Sequence, residues 1–255
     1  MRTMTAVTVA VGVLLLVSSP LAAQVDVGDI AVKWSQPPDY DNGQDFKSFW
    51  QWCHSPQAVV ADDWRCLDGL PVTDFHWWGS YLRGEPGDVL GFEISIHADI
   101  PETVEKPSHP GELRWSRVFN MGEYGVVESF DRMNRTEAIY EYTVVLDNSD
   151  EWFRQDEGEI YWLNVVALTF DDYTEWGWHS ALRPCPENGL DPAVHIFDYD
   201  PFTGEYTTWG SIYSDSCSVH MAFELTTIPE PGSLALMGTV TLTVVGVRRR
   251  RRMHG

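Results

Sequence analysis

The sequence contains few basic residues and few cysteines. Of its 255 residues only 17 are Lys or Arg, whereas 38 are Asp or Glu. Residues 24–228 contain 11 basic and 37 acidic residues, which gives this region a net charge of −26. Such a chain lacks the positive charge that neutralises phosphate groups, and anionic lipid headgroups would repel it. We therefore expect no nucleic-acid partner and no binding to an anionic membrane surface through this region.

Recognised catalytic motifs are also lacking. The sequence contains no GxSxG nucleophile turn, no HExxH zinc helix, no phosphate-binding glycine loop and no cysteine placed as a nucleophile. Its carboxylates could include a glycosidase pair, but such a pair is recognised by its separation in space and not by sequence. We therefore expect that the protein is not an enzyme, and we assign no catalytic residue.

The first 23 residues have the three parts of a secretory signal peptide. Arg2 supplies a positive charge, residues 6–17 form a short apolar run, and Ala22 and Ala23 are small enough for the peptidase pocket. The run is shorter than the roughly 20 residues that span a bilayer. We expect signal peptidase to remove residues 1–23, and the alternative is a permanent N-terminal anchor.

The C-terminal residues 229–255 also have three parts. Pro229, Glu230 and Pro231 precede an apolar segment at 233–247, which is predicted to form a short transmembrane helix. As a helix, this segment would be about 22 Å long, short of the roughly 30 Å hydrocarbon core, so we expect only transient membrane contact. A basic cluster that should remain cytoplasmic ends the segment. The cluster consists of Arg248, Arg249, Arg250, Arg251 and Arg252.

This tail resembles the PEP-CTERM sorting signal of bacterial surface proteins. The resemblance implies that an exosortase recognises Pro229-Glu230-Pro231, cuts near it and transfers the exported domain to the cell envelope, cell surface or extracellular matrix. It implies export across the inner membrane, but no activity. The alternative is an ordinary C-terminal tail anchor.

Residues 24–228 have the pattern of a β protein. Apolar and polar residues alternate over short runs that are separated by turn-forming residues, and the many aromatic residues argue against disorder. Ten short strands with this pattern predict one domain with an all-β fold, an antiparallel, jelly-roll-like β-sandwich. The predicted strands are 30–34, 72–82, 89–97, 113–119, 140–146, 160–169, 176–181, 193–199, 206–209 and 219–225. Residues 102–111 and 148–158 are predicted loops.

Four cysteines, Cys53, Cys66, Cys185 and Cys217, lie in the exported region. Export favours disulfides, and four cysteines allow three pairings. The pairs Cys53–Cys66 and Cys185–Cys217 are favoured because each closes a local loop. A zinc site is the alternative, but no two cysteines have CxxC spacing.

Calcium is the cofactor that the sequence offers, if there is one. Asp39, Asp41 and Asp45 place carboxylates at alternating positions of one segment, and hard oxygen ligands suit calcium. Residues 198–205 form a second, weaker candidate. Neither segment has the full EF-hand pattern, and a solvated turn is the alternative for both.

Tryptophans could bind a surface polysaccharide. Trp77 and Trp78 are adjacent on a predicted strand and must point to opposite faces, so one of them could remain exposed. Trp176 and Trp178 are two positions apart and share a face. Exposed indole rings stack on the apolar face of sugars, whereas the alternative is that all four rings fill the core.

Several segments are similar to an uncharacterised domain of secreted bacterial proteins. The similarity is carried by residues 61–66, 72–81 and 94–101, and it implies a β-sandwich without an assigned activity. The sequence thus favours a non-enzymatic structural or adhesive component of the envelope or matrix. A carbohydrate-binding module that uses exposed tryptophans is the alternative, and a hydrolase is the third hypothesis.

Overall fold

The computed structural model describes ten ranges of the chain: residues 31–51, 58–83, 88–131, 138–170, 173–182, 191–196, 199–200, 205–206, 208–215 and 217–228. These ranges form eighteen β-strands. Within them, no helix has the length and apolarity needed to cross a bilayer. The all-β fold class is confirmed.

The first sheet contains seven strands, and all its pairings are antiparallel. β5 lies at its centre, with β9 along one edge and with β18 and β11 following each other along the other edge. The seven strands are β1 (Ala31–Gln36), β2 (Asp45–Lys47), β5 (Asp74–Arg83), β8 (Gly125–Asp131), β9 (Ala138–Val145), β11 (Glu175–His179) and β18 (Phe223–Thr227).

The second sheet also contains seven strands. β10 is paired with β6 along one edge, and with β4 and then the parallel strand β3 along the other. The seven strands are β3 (Phe49–Gln51), β4 (Val59–Arg65), β6 (Val89–Ile100), β7 (His109–Asn120), β10 (Ile160–Thr169), β12 (Val194–Ile196) and β15 (Gly210–Ser211). Two small hairpins complete the set, β13 (Tyr199–Asp200) with β14 (Glu205–Tyr206), and β16 (Tyr213–Ser214) with β17 (Cys217–Ser218).

The main core lies between the two sheets and is rich in aromatic rings. Trp77 of the first sheet meets Phe92 of the second with 5.2 Å between ring centroids, and Trp176 contacts the same Phe92 ring at 5.1 Å. Trp64 of β4 meets Phe223 of β18 at 6.4 Å. Rings from both sheets thus interdigitate, which is the packing of a β-sandwich.

Each sheet also buries a small cluster on its outer face. Trp78, Ile139, Ala181 and Ala222 pack together over the first sheet, with Tyr40 against them. Ala61, Trp162 and Val194 pack together over the second sheet, with Trp209 against them. The loops that carry Tyr40 and Trp209 therefore shield sheet faces that a simple two-layer sandwich would leave in water.

The strand pattern predicted most of the long strands but missed β2, β3, β4, β8 and β15 of the two sheets and the hairpin β16–β17. The prediction for 160–169 is confirmed as β10, a central strand. The predicted face of 89–97 is wrong at Leu90, which is 41% exposed while Val89 is buried, because the register shifts between Leu168 and Thr169. The predicted loop 102–111 ends early, since β7 begins at His109. Pro110 is tolerated there because β7 is an edge strand.

Candidate functional site

A wide groove lies where the end of β6 and the middle of β7 meet residues 149–161. Its volume is about 970 Å³. The lining combines indole rings with charged side chains of both signs, among them Trp115, Trp152, Arg114, Arg154, Asp150 and Asp156. Arg154 and Asp156 are exposed. The groove therefore presents both apolar ring surface and hydrogen-bonding groups to a ligand.

The two indole rings of the groove are held in fixed orientations. Trp115 Nε1 donates a 2.8 Å hydrogen bond to the Glu151 carbonyl, and its ring stacks on Phe75 with 5.2 Å between centroids. Trp152 Nε1 donates a 2.8 Å hydrogen bond to the Leu146 carbonyl. Both rings are half-buried. Because both are already ordered, a ligand that stacks on them would bind with little loss of side-chain entropy.

A second candidate site is a buried cluster of Asp62, Asp63 and His220. The aspartates lie in β4 and are 0% exposed, whereas His220 lies between β17 and β18 and is 6% exposed. One ligand atom from each residue lies within 4.8 Å of the other two. In the described part of the chain, this is the only group of three or more His, Cys, Asp or Glu side chains that meets so closely.

Asp62 is held firmly by its neighbours. Its Oδ2 accepts a 2.6 Å hydrogen bond from the Met221 backbone N–H, and its Oδ1 accepts a 3.1 Å bond from the Asp63 N–H. When the Gln36 side-chain amide is oriented so that its oxygen and nitrogen both have partners, the nitrogen donates a 2.8 Å hydrogen bond to Oδ2. Oδ1 also lies 3.5 Å from His220 Nδ1. Burial raises the pKa of Asp62, and the hydrogen bond with His220 counteracts this increase.

Asp63 lacks such support. Neither of its carboxylate oxygens makes a hydrogen bond within the usual distance and angle. The backbone N–H of Asp191 is near enough to lower the pKa of Asp63 slightly, but it does not replace a hydrogen-bond donor. Burial raises the pKa of Asp63 to about 8, and the negative charges of Asp62 and Asp191 add to this increase. A buried carboxylate without a donor is costly, so this position favours either a proton or a cation.

His220 presents Nδ1 to Asp62 because Ser218 lies at the other side of the ring. The Ser218 Oγ is 3.3 Å from His220 Nε2. His220 also lines a cavity of about 380 Å³ together with Trp34 and Gln36. The cluster therefore borders on a cavity through which an ion could reach it.

The structure corrects the prediction that one of the four selected tryptophans remains exposed. Trp77, Trp176 and Trp178 are 0–1% exposed in the main core. Trp78 does point to the opposite face from Trp77, but it is only 9% exposed because the cluster with Tyr40 covers it. These four rings cannot form a sugar-stacking surface.

The structure also gives a different account of the predicted calcium segment. Asp39, Asp41 and Asp45 do not bring three ligand atoms within 4.8 Å of one another. Asp39 Oδ1 instead accepts the backbone N–H groups of Asp41 and Asn42, at 3.1 and 2.9 Å, and so closes a turn. Asp45 pairs with a histidine. The alternating carboxylates thus serve the turn and the packing, and a calcium site at this segment stays a prediction.

The cysteine and tail predictions fall largely outside the described residues. Cys66 is buried, has no disulfide partner among the described residues, and its sulfur accepts a 3.3 Å hydrogen bond from the Gly69 N–H. Cys53 and Cys185 lie outside the described residues, so both disulfide pairings stay predictions. The signal peptide, residues 229–255 and most of the second calcium candidate, 198–205, also lie outside them.

Two family matches together cover most of the chain. The family Domain of unknown function (DUF7901) matches residues 32–226. The PEP-CTERM protein-sorting motif matches residues 227–252, which include Pro229-Glu230-Pro231 and the five arginines. No curated protein matches the chain.

The sorting motif implies that an exosortase processes the protein during export to the cell envelope or surface. The family match extends from β1 almost to the end of β18, so it includes both the groove and the Asp62–Asp63–His220 cluster. The chain therefore belongs to the DUF7901 family and carries a PEP-CTERM sorting motif at its C-terminus.

Proposed function

We propose that the exported domain is a non-enzymatic structural or adhesive component of the cell envelope or extracellular matrix. The sorting motif supports this proposal because it directs the protein to the place where such components act. The lack of recognised catalytic motifs in the sequence supports the non-enzymatic part.

In this proposal the domain attaches to the cell surface by binding a surface polysaccharide in the groove beside β6 and β7. The observation that carries the proposal is the pair of half-buried indoles, Trp115 and Trp152, each anchored by a 2.8 Å hydrogen bond within a cavity of about 970 Å³. Indole faces offer apolar surface to sugar C–H groups, and Arg114 and Arg154 offer donors to sugar hydroxyls. The polysaccharide would be neutral, because a domain with a charge of −26 repels anionic polymers.

Affinity electrophoresis of the full chain through gels containing neutral polysaccharides tests this function. We expect the wild-type chain to be retarded, and we expect Arg154→Ala to weaken the binding about 5-fold, since a lost hydrogen bond is worth about 1 kcal/mol. Trp152→Ala should weaken it further.

Trp50→Ala is the matched control. Trp50 is 40% exposed but does not line the groove, so this change should leave the retardation as it is. If no polysaccharide retards the wild-type chain, or if Trp50→Ala weakens binding as much as Arg154→Ala does, attachment through the groove is wrong.

A further inference from the structure

We propose that Asp62, Asp63 and His220 bind one divalent transition-metal ion, with Zn²⁺ as the best-fitting ion, where β4 meets the segment that precedes β18. This site is separate from the groove and does not depend on the polysaccharide proposal. It joins β4 of the second sheet to the segment that precedes β18 of the first. The ion would therefore link the two layers of the sandwich.

The geometry is close to that of a metal site. The Asp62 Oδ1 and His220 Nδ1 atoms are 3.5 Å apart. Two ligands of a tetrahedral zinc ion, each about 2.0–2.1 Å from the metal, lie about 3.3 Å from each other. The ligand atom of Asp63 lies within 4.8 Å of both, so the three ligand atoms meet although Asp62 and Asp63 are adjacent on β4.

The unpartnered Asp63 carboxylate is the observation that points to a ligand. Asp63 is 0% exposed, and neither oxygen has a hydrogen-bond donor. No Lys or Arg in the described part of the chain forms an ion pair with Asp62 or Asp63, although Asp191 adds further negative charge nearby. A buried carboxylate is stable when it is paired or coordinates a metal. A cation would supply the charge that the described side chains do not.

The surrounding residues would hold the ligands in place. Ser218 Oγ lies 3.3 Å from His220 Nε2 and fixes the ring so that Nδ1 faces Asp62. The Met221 N–H donates to Asp62 Oδ2 at 2.6 Å, and Oδ1, which accepts the Asp63 N–H, has a second lone pair for the ion. Hydrogen bonds from outer residues that orient the ligands in this way are a general feature of metal sites.

The ligand set selects the class of ion. Calcium takes six to eight oxygen ligands, and magnesium usually keeps several waters. One imidazole nitrogen with two carboxylate oxygens suits a first-row transition ion, for which His and Asp are ordinary ligands. His220 lines a cavity of about 380 Å³, from which an ion would enter and a water would complete its coordination.

The full chain, stripped of metal with a chelator, is titrated with ZnCl₂, MnCl₂ or CaCl₂ separately. Bound metal is measured by mass spectrometry, and the thermal midpoint is measured in parallel. We expect one Zn²⁺ per chain and, at a zinc concentration 100-fold above the Kd, a rise of roughly 5–10 °C in the midpoint. Calcium should give no comparable rise.

Three variants place the ion. Asp63→Asn and His220→Gln should abolish both the bound zinc and the rise in midpoint. Asp74→Asn should keep both, because Asp74 is another buried carboxylate, on β5, that is not part of the cluster. Because Asp63→Asn keeps the side-chain shape and introduces no charge, its metal-free form should be about as stable as the metal-free wild type.

X-ray absorption of the zinc-loaded wild-type chain identifies the ligand atoms of the zinc without any substitution. It should show one imidazole nitrogen, with oxygen as the other ligands and no sulfur. The proposal is wrong if the wild type binds no zinc, if only calcium raises the midpoint, if Asp63→Asn retains the zinc, or if the zinc is bound to sulfur.

Discussion

The Nδ1 atom of His179 lies 2.6 Å from Oδ1 of Asp45, and the two side chains are 0% and 5% exposed. The Nε2 atom of the same ring lies 3.1 Å from the carbonyl oxygen of Asp39. The ring therefore bridges the Asp45 carboxylate and the backbone of Asp39. Gly43 allows this contact, because a Cβ at that position would lie 2.4 Å from His179 Nε2. His179 thus fastens the 39–45 turn to β11 of the first sheet.

Asp45→Asn should reduce the free energy of unfolding by about 3 kcal/mol, because it removes one member of a buried charge-assisted pair. Urea unfolding of the full chain measures the change. Lys47→Met is the control. Lys47 lies on the same strand as Asp45 and forms a 2.7 Å ion pair with Glu175, but the Lys47 side chain is 46% exposed. That change should cost less than about 1 kcal/mol. Equal costs for the two variants would show that the His179 contact does not fasten the turn.

Gly79→Ala should destabilise the domain by roughly 1–3 kcal/mol or prevent folding. Gly79 lies in β5, and a Cβ there would be 2.2 Å from Cζ2 of the buried Trp176 ring and 2.6 Å from the Gly177 carbonyl oxygen. Gly125→Ala, at the start of β8, is the control, since the nearest atom to its added Cβ would be 3.8 Å away. Urea unfolding should show less than about 0.5 kcal/mol for the control. If Gly79→Ala is as mild as the control, the tight packing of Trp176 on β5 is wrong.

Alkaline pH should destabilise the domain through buried tyrosines. The Tyr142 hydroxyl donates a 3.2 Å hydrogen bond to the Tyr81 hydroxyl, and burial raises the pKa of both phenols. In the unfolded chain a tyrosine has a pKa of about 10, so with rising pH the unfolded state loses its protons first. The free energy of unfolding should thus be unaffected by these groups well below pH 10 and should fall above it.

Tyr81→Phe should make this alkaline fall shallower by up to about 1.4 kcal/mol per pH unit, the contribution of one proton. Tyr213→Phe is the control, because Tyr213 is 61% exposed and lies outside the core. Urea unfolding between pH 8 and pH 11.5 measures both slopes. A slope that is unchanged in Tyr81→Phe would contradict a buried phenol at this position.

The sequence predicted the strands whose alternation is regular, and it failed where polar residues are buried. β4 was missed because Asp62 and Asp63 interrupt its apolar run, although both are buried. Leu90 was assigned to the wrong face because a register shift in the pairing with β10 is not visible in one strand's own alternation. Only the pairing of distant segments decides such positions.

The candidate sites were harder to predict for the same reason. The cluster unites Asp62 and Asp63 with His220, which is more than 150 positions away in the sequence. Two adjacent aspartates inside an apolar run were the available signal, since charged residues there are buried only with compensation. Trp78 was expected as a possible exposed ring because strand alternation alone does not show that the loop with Tyr40 covers the outer face.

Export followed by exosortase cleavage is tested by the mass of the C-terminal peptide of the protein recovered from cells that contain an exosortase. The surface fraction should contain chains that end near Pro229-Glu230-Pro231 and lack the five arginines. The double variant Pro229→Ala and Pro231→Ala should accumulate uncleaved in the membrane. Wild-type protein that remains stably in the inner membrane with its sequence intact to Gly255 would contradict processing by an exosortase.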